Sequence, residues 1–420
     1  MKKKILLIIT IIMQIFTLTA CYDAREATSV SFVQMIGIDQ GITDKWRITV
    51  KIASMQNGDD SSNKGSESSQ QTQTKTITID APSFNGGIDL FNTNIPQKLD
   101  FTHASLLVIS EDLAQSGLMG EYITPLVRFR EIRRTLNVIV VRGNAQEFVE
   151  KTEECNQGSP SRAVVSLIRQ GENTGFYPKI SLNDFYNGIK STYRQAVLPL
   201  GSVHKKNFDE EGESYNEGVK NTGQYFAGDT QRKGGNTIEL LGSALFVKDN
   251  MVGKLNGHET RMMMLIRGEF KKGIFTIQDP EASKWIIPID TRVSRKPNLK
   301  IYFDNDRPII SLEVKTEGDI LAIQSGINYE SEEMIGIIEN EMTRYLEKGI
   351  TSVIHKCQSL NTDPFNFGRT AVKHFLTINE WEKYNWNEKF MEAKVEVKVD
   401  FKIRRTGGLL RNSDNNVRDE

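Results

Sequence analysis

The stretch from Met391 to Arg404 constrains the fold more than any other part of the chain. Met391, Ala393, Val395, Val397, Val399, Phe401 and Ile403 alternate without a miss against Glu392, Lys394, Glu396, Lys398, Asp400, Lys402 and Arg404. Successive side chains of a strand point to opposite faces, so a period of two puts every apolar group on one side. Such a segment is stable as a strand with one face covered and the other wet. Ser331 to Leu360 offers the cover. There Met334, Ile338, Met342, Tyr345, Ile350, Val353, Ile354 and Cys357 fall on one stripe of a long helix, with Glu and Lys opposite. The expected C-terminal unit, residues 237–408, is a sheet with this helix packed on it, fed by strands at 238–248, 251–255, 273–278, 285–289, 291–303 and 309–316.

The first half alternates between element types. Ser29 to Asp39 and Trp46 to Met55 read as strands, the second with Trp46, Ile48, Val50 and Ile52 on one face. Residues 56–75 hold no large apolar side chain and are expected to be a disordered insert, because they bury too little to offset ordering entropy. Helices are expected at Ser83 to Leu99, Glu111 to Arg133 and Asn144 to Cys155, with Asn144 as a cap, and another is opened by Ser181-x-x-Asp184. Strands are expected at Ser105 to Ser110 and Leu136 to Val141. The fold class is mixed α/β, two to three small domains of mixed or antiparallel sheet with packed helices. Residues 21–203 form the N-terminal region, the polar tract 204–236 is the best linker, and 409–420 is a polar tail.

The first 20 residues are an export signal: Lys2, Lys3 and Lys4, then an apolar run from Ile5 to Phe16, too short for a membrane span. Leu18-Thr19-Ala20-Cys21 resembles the lipobox of bacterial lipoproteins, in which the cysteine thiol is acylated. Two acyl chains would hold the mature chain on a membrane, since each buried methylene contributes ~0.8 kcal/mol. Removing the signal leaves 50 basic against 54 acidic residues, a net charge of −4, which argues for no nucleic-acid partner. Cys155 and Cys357 can pair outside the cytosol, but two cysteines give no framework, and the apolar stripe favours a buried free thiol at Cys357.

Catalytic wiring is sparse. No P-loop, GxGxxG, GxSxG or HExxH is present, and His258-Glu259 fails the last because Met262 stands where the second His belongs. The five histidines are scattered, so no metal and no cofactor is expected. Met262, Met263 and Met264 are expected to pack in the core with one exposed, and Trp381 and Trp386 are either interface anchors or core.

Taken in order, the motifs resemble one family. Cys21-Tyr22-Asp23-Ala24-Arg25-Glu26 precedes Ile36-Gly37-Ile38-Asp39. Phe101-Thr102-His103-Ala104, Leu198-Pro199-Leu200, Gly242-Ser243-Ala244-Leu245-Phe246 and Gly257-x-Glu259-Thr260-Arg261 follow. Asp363-Pro364-Phe365-Asn366-Phe367-Gly368, Trp381, Trp386 and Arg404-Arg405-x-Gly407 close the series. The series is similar to the spore germination Ger(x)C lipoproteins, the C subunits of nutrient germinant receptors. Tyr22 stands where that family usually has Trp, Pro364 and Asn366 depart from its usual Asp-Ile-Phe-Gly-Phe-Gly, and the insert at 56–75 looks longer than usual.

The resemblance implies a non-catalytic receptor subunit, anchored through Cys21 to the outer face of the inner spore membrane, beside two integral membrane subunits of A and B type. A nutrient ligand would be bound mainly by those partners. Asp23, Arg25, Glu26, Gly37, Asp39, Glu259, Thr260, Arg261, Phe365, Phe367, Gly368, Trp381 and Trp386 are the positions it marks as family-motif or interaction residues. The alternative is a lipid-anchored solute-binding protein that captures the nutrient itself in a cleft between two lobes.

Overall fold

A computed structural model describes residues 30–54, 73–152, 160–206, 222–329 and 331–406, together with Ile5. β1 (Val30–Gln40), β2 (Trp46–Ser54) and β3 (Gln73–Ala81) form an antiparallel meander. α1 (Phe84–Asn92) and β4 (Lys98–Asp100) replace the single helix expected over 83–99. The helix stops because the Thr93 hydroxyl turns back onto the Leu90 carbonyl at 2.7 Å. Pro96 then disfavours a helical conformation at Ile95.

β5 (Leu106–Ser110) leads into α2 (Glu111–Gln115) and α3 (Met119–Arg128), two short helices where one was expected, broken where Gly117 takes a φ of +73°. β6 (Asn137–Arg142), α4 (Ala145–Lys151), α5 (Pro160–Thr174), α6 (Leu182–Lys190) and β7 (Val197–Val203) follow. The helix expected over 144–155 is described only to Thr152, and Cys155 lies outside the described residues.

β8 (Ile238–Val247) and β9 (Asn250–Leu255) complete a nine-stranded mixed sheet of order β3-β2-β1-β5-β6-β7-β8-β9, with β4 beside β1. β1, β5, β6 and β7 run parallel and are covered on both faces. α1, α3 and α6 supply Phe84, Tyr122 and Phe185 to one core, and α4 and α5 supply Phe148 and Ile168 to the other. Burial on both sides is why β6 reads as an unbroken apolar run. The polar tract expected between domains joins β7 to β8, which pair antiparallel from Val197↔Leu245 to Val203↔Ile238. The first sheet therefore continues across it.

α7 (Gly257–Arg267) leads to the second sheet, β10 (Lys272–Gln278), β11 (Ile286–Asp304), β12 (Arg307–Ile320) and, after the helices, β13 (Lys394–Arg405), in that order. The strands expected at 285–289 and 291–303 are one long strand with two irregularities, the second spanning Pro297. α8 (Glu332–Ser359), α9 (Gly368–Ala371), α10 (Ile378–Tyr384) and α11 (Trp386–Met391) form the crossover that the parallel β12–β13 pairing requires. Ile338, Met342, Leu346, Ile350, Val353 and Ile354 of α8 pack with Ile310, Leu312, Val399 and Phe401 of the sheet. The alternating pattern thus begins three residues before its strand, since Met391 closes α11. Met262, Met263 and Met264 are all buried, where one exposed was expected, because α7 lies between β8 on one side and α8, β11 and β12 on the other. Cys357 is a free buried thiol. Among the described residues no helix is long and apolar enough to cross a membrane.

Candidate functional site at the joint between the sheets

Residues marked in the sequence collect at two places. The first is inside the large sheet. Gly37 lets α4 approach β1, since a Cβ there would lie 3.2 Å from Val149 Cγ2 and 3.4 Å from the Ala145 backbone. Asp39 then accepts from the Ala145 and Gln146 amides at 2.7 and 2.9 Å. Asn144 occupies the cap position of α4 without a side-chain hydrogen bond, so the expected cap comes from a carboxylate over 100 residues earlier. Burial raises the Asp39 pKa despite these amides and the neighbouring Arg47 charge. Arg47 itself is held by Asp80, and that contact keeps the Asp80 carboxyl well below the usual range.

The second place is the joint between the sheets. At the start of α7, Asn256 and Glu259 cap each other's amides at 2.9 Å, and Glu259 also takes Lys356 of α8 at 2.7 Å. Thr260 Oγ1 lies 3.0 Å from Ser243 Oγ of β8. Arg261 is 3% exposed and meets no carboxylate among the described residues. Its Nε donates to the Thr174 carbonyl and its Nη1 to the Ile274 carbonyl, both at 2.7 Å. Its guanidinium carbon stands 3.7 Å from the Phe176 ring centroid and 5.1 Å from that of Phe275. Burial pulls its pKa down to about 10, so it stays charged at neutral pH. One arginine thereby rivets the α5 end of the first sheet to β10 of the second.

Asp363 organises the other side of the joint. Its carboxylate accepts from the amides of Phe365 and Phe367 at 3.2 Å, from Gly368 at 2.7 Å and from Trp386 Nε1 at 2.9 Å. Burial raises its pKa against the pull of those donors. Asn366 completes the turn with a φ of +65°, a conformation Asn tolerates. Gly368 is required by contact: a Cβ would lie 2.7 Å from the Tyr193 carbonyl. Gln195 reaches across from the start of β7, accepting from the Thr362 hydroxyl and the Asp363 amide and donating to Asn387. Trp381 Nε1 donates to the Thr192 carbonyl at 3.1 Å, and the two indoles stack with centroids 5.8 Å apart.

Phe365, Phe367, Gly368, Trp381 and Trp386 are thus buried together around Asp363. Glu259, Thr260 and Arg261 sit at the α7 side of the same joint, while Gly37 and Asp39 stand apart in the first sheet. Cys21, Leu18, Thr19, Ala20, Asp23, Arg25 and Glu26 lie outside the described residues. Gln195, Lys356 and Phe176 were not singled out in the sequence, since a lone residue of each type carries no spacing signal. Chemically the arrangement fixes two sheets against each other. Among the described residues no cluster of His, Cys, Asp and Glu could hold a metal.

Residues 23–203 match the family model described as the spore germination protein N-terminal domain, and residues 241–407 match that described as spore germination B3/GerAC like, C-terminal. Spore germination protein GerQC of Bacillus cereus is 20% identical over 400 residues, covering 95% of this chain and 98% of its own. Spore germination protein KC of Bacillus subtilis (strain 168) is 24% identical over 431 residues, covering 98% of each. The chain belongs to the Ger(x)C family. The crystal structure of the GerBC protein matches with 19% identity and a TM-score of 0.47, over 88% of this chain and 96% of that one. The family's C-terminal region begins inside β8, so it contributes β8 and β9 to the sheet built by the N-terminal region.

Proposed function

We propose that this chain is a non-catalytic, lipid-anchored subunit of a spore germinant receptor, working by assembly with two integral membrane subunits of A and B type. The observation that carries this reading is the likeness to spore germination proteins along nearly the full length of both chains. The lipobox at Cys21 supports a tether on the outer face of the inner spore membrane. The buried family motifs support a positioning role: Glu259, Arg261 and Asp363 set the two sheets at one angle, which fixes the surfaces offered to partners. Signal would pass as a change of docking between two states that differ in contacts.

A tagged pull-down from detergent-solubilised spore membranes, read by mass spectrometry, tests the assembly. Two multi-span membrane proteins recovered in stable proportion are expected. Recovery of this chain alone, under detergents that keep other membrane complexes intact, overturns the reading. Cys21→Ala tests the tether, with loss from the membrane fraction and loss of germination expected; a variant still firmly bound and active removes it.

A further inference from the structure

The end of the first sheet at which its parallel strands begin is strongly basic. β1, β4, β5 and β6 all start there, with Val30 paired to Lys98 and Leu106 to Asn137. The loop after α3 closes over this end, since Glu131 accepts from the Phe101 amide at 3.3 Å and the Asn137 amide donates to the Ser105 carbonyl at 3.2 Å. Two connections, residues 93–105 and 128–137, meet here. They carry Lys98, Arg128, Arg130, Arg133 and Arg134 against Asp100 and Glu131. We propose that this end of the molecule rests on the phosphodiester headgroups of an anionic bilayer.

All five cations are exposed, and none forms an ion pair among the described residues. Both carboxylates are engaged with backbone: Asp100 takes the Thr102 amide at 2.8 Å and Glu131 the Phe101 amide. The local balance is +3, in a mature chain whose net charge is −4. Elsewhere cations find partners, as in Lys254–Glu111, Arg292–Glu317 and Lys356–Glu259. A cluster of unpaired like charges repels itself and is relieved by a surface of opposite sign. Four of the five are arginine, whose planar fork can take two phosphate oxygens at once. Arg128 and Arg130 also border an open depression of about 470 Å³ with Pro125 and Phe129 in its lining, so a headgroup seated there meets apolar carbon as well as charge. The chain's path favours a membrane over other polyanions. Val30 follows Cys21 by nine residues, which span at most about 30 Å. This orientation rests on the tether proposed above, since an acylated Cys21 holds this end of the sheet within that distance of the lipid.

Co-sedimentation with vesicles tests it, using the mature chain from residue 21 with Cys21→Ser so that no acyl group contributes. Vesicles of about 30% phosphatidylglycerol in phosphatidylcholine are compared with pure phosphatidylcholine. Binding to the anionic vesicles alone is expected, weakening as sodium chloride rises from about 0.1 to 0.5 M. Arg128→Gln/Arg130→Gln/Arg133→Gln/Arg134→Gln is expected to weaken it roughly a hundredfold or more, at about fivefold per cation. Lys284→Gln/Arg295→Gln/Lys296→Gln/Lys300→Gln removes the same charge from exposed positions of the second half and should leave binding nearly unchanged. Absence of binding to both vesicles, or equal binding to both, overturns the proposal. Unchanged affinity in the arginine variant overturns it too, as does an equal loss in the second-half variant. Should the arginine variant not fold, binding that salt leaves unchanged does so. Mass spectrometry of the native chain reads acylation of Cys21 separately, so failure of the tether and failure of this surface are told apart.

Discussion

The two sheets solve burial differently. The first carries parallel strands covered by helices on both faces, so its interior is two apolar layers separated by a sheet. The second is covered by α8 on one face, and its other face stays wet. Each half also contains a buried aspartate, Asp39 in the first sheet and Asp363 in the turn after α8, and these two make the contrast local. Asp39 accepts two amides and caps one helix inside a single layer arrangement. Asp363 accepts four donors drawn from a turn and from Trp386, directly where Gln195 of the first half arrives. One carboxylate therefore caps a helix, and the other shapes the turn whose backbone Gln195 of the first half reaches.

The largest effect should follow from removing the second. Asp363→Ala leaves three buried amides and an indole N–H without their acceptor, and a loss of about 4 kcal/mol is expected. Urea denaturation followed by tryptophan fluorescence reads it, since Trp381 and Trp386 sit at the joint. A loss no greater than that of Asp39→Ala would erase the distinction between the two aspartates.

Acid sharpens the same contrast, because a buried imidazole faces the joint, while His103 and His204, the described histidines of the first half, are not buried. His258 is 9% exposed and lies beside Tyr345, Arg261 and Glu259. Burial, helped by the Arg261 charge, brings its pKa from 6.5 down to about 4. The unfolded chain then takes up a proton that the folded chain refuses, so stability is full above pH 6.5 and falls as pH drops towards 4. The fall attributable to this residue is at most about 3 kcal/mol. Melting temperatures at pH 7 and pH 4.5 should converge in His258→Gln relative to the parent chain. An unchanged acid slope in that variant would assign the sensitivity to other groups.

Asp39→Ala should cost less, about 2 kcal/mol, the upper range for losing a helix cap. Amide exchange should locate the loss in α4 and leave the α7–α8 contact protected. Protection lost equally at both would mean that Asp39 also supports the joint.

Alternation made the second sheet legible. Residues 391–404 carried their own face assignment, and the stripe of α8 named its partner in advance. Two-faced burial made the first sheet harder to read, because a continuous apolar run such as Leu136 to Val141 marks a strand without saying what covers it. The polar composition of 204–236 looked like a break in the fold, yet sheet membership is decided by backbone pairing of Val197–Val203 with Ile238–Leu245. The joint was legible only as a set of motifs. Asp363 and Gly368 stood in one of those motifs, but the acceptors of Arg261 are backbone carbonyls at residues 174 and 274, and backbone acceptors leave no mark in a side-chain pattern. The α4 cap escaped for a similar reason, since its carboxylate comes from Asp39 and not from the adjacent Asn144.

The smallest effect expected concerns the ion pair at the mouth of the joint. Glu259 and Lys356 approach to 2.7 Å, but their side chains remain 23% and 34% exposed, so solvent screens most of the attraction. Glu259→Gln keeps an oxygen for the reciprocal cap with Asn256 while removing the charge, and Lys356→Met keeps the aliphatic stem. A double-mutant cycle on these two changes should give a coupling of about 0.5–1 kcal/mol, shrinking as salt is raised from 0.1 to 1 M. A coupling as large as the Asp363 effect, and insensitive to salt, would mean that the pair is sealed from water when the sheets close. The joint would then depend on charge at its rim as much as on the buried carboxylate at its centre.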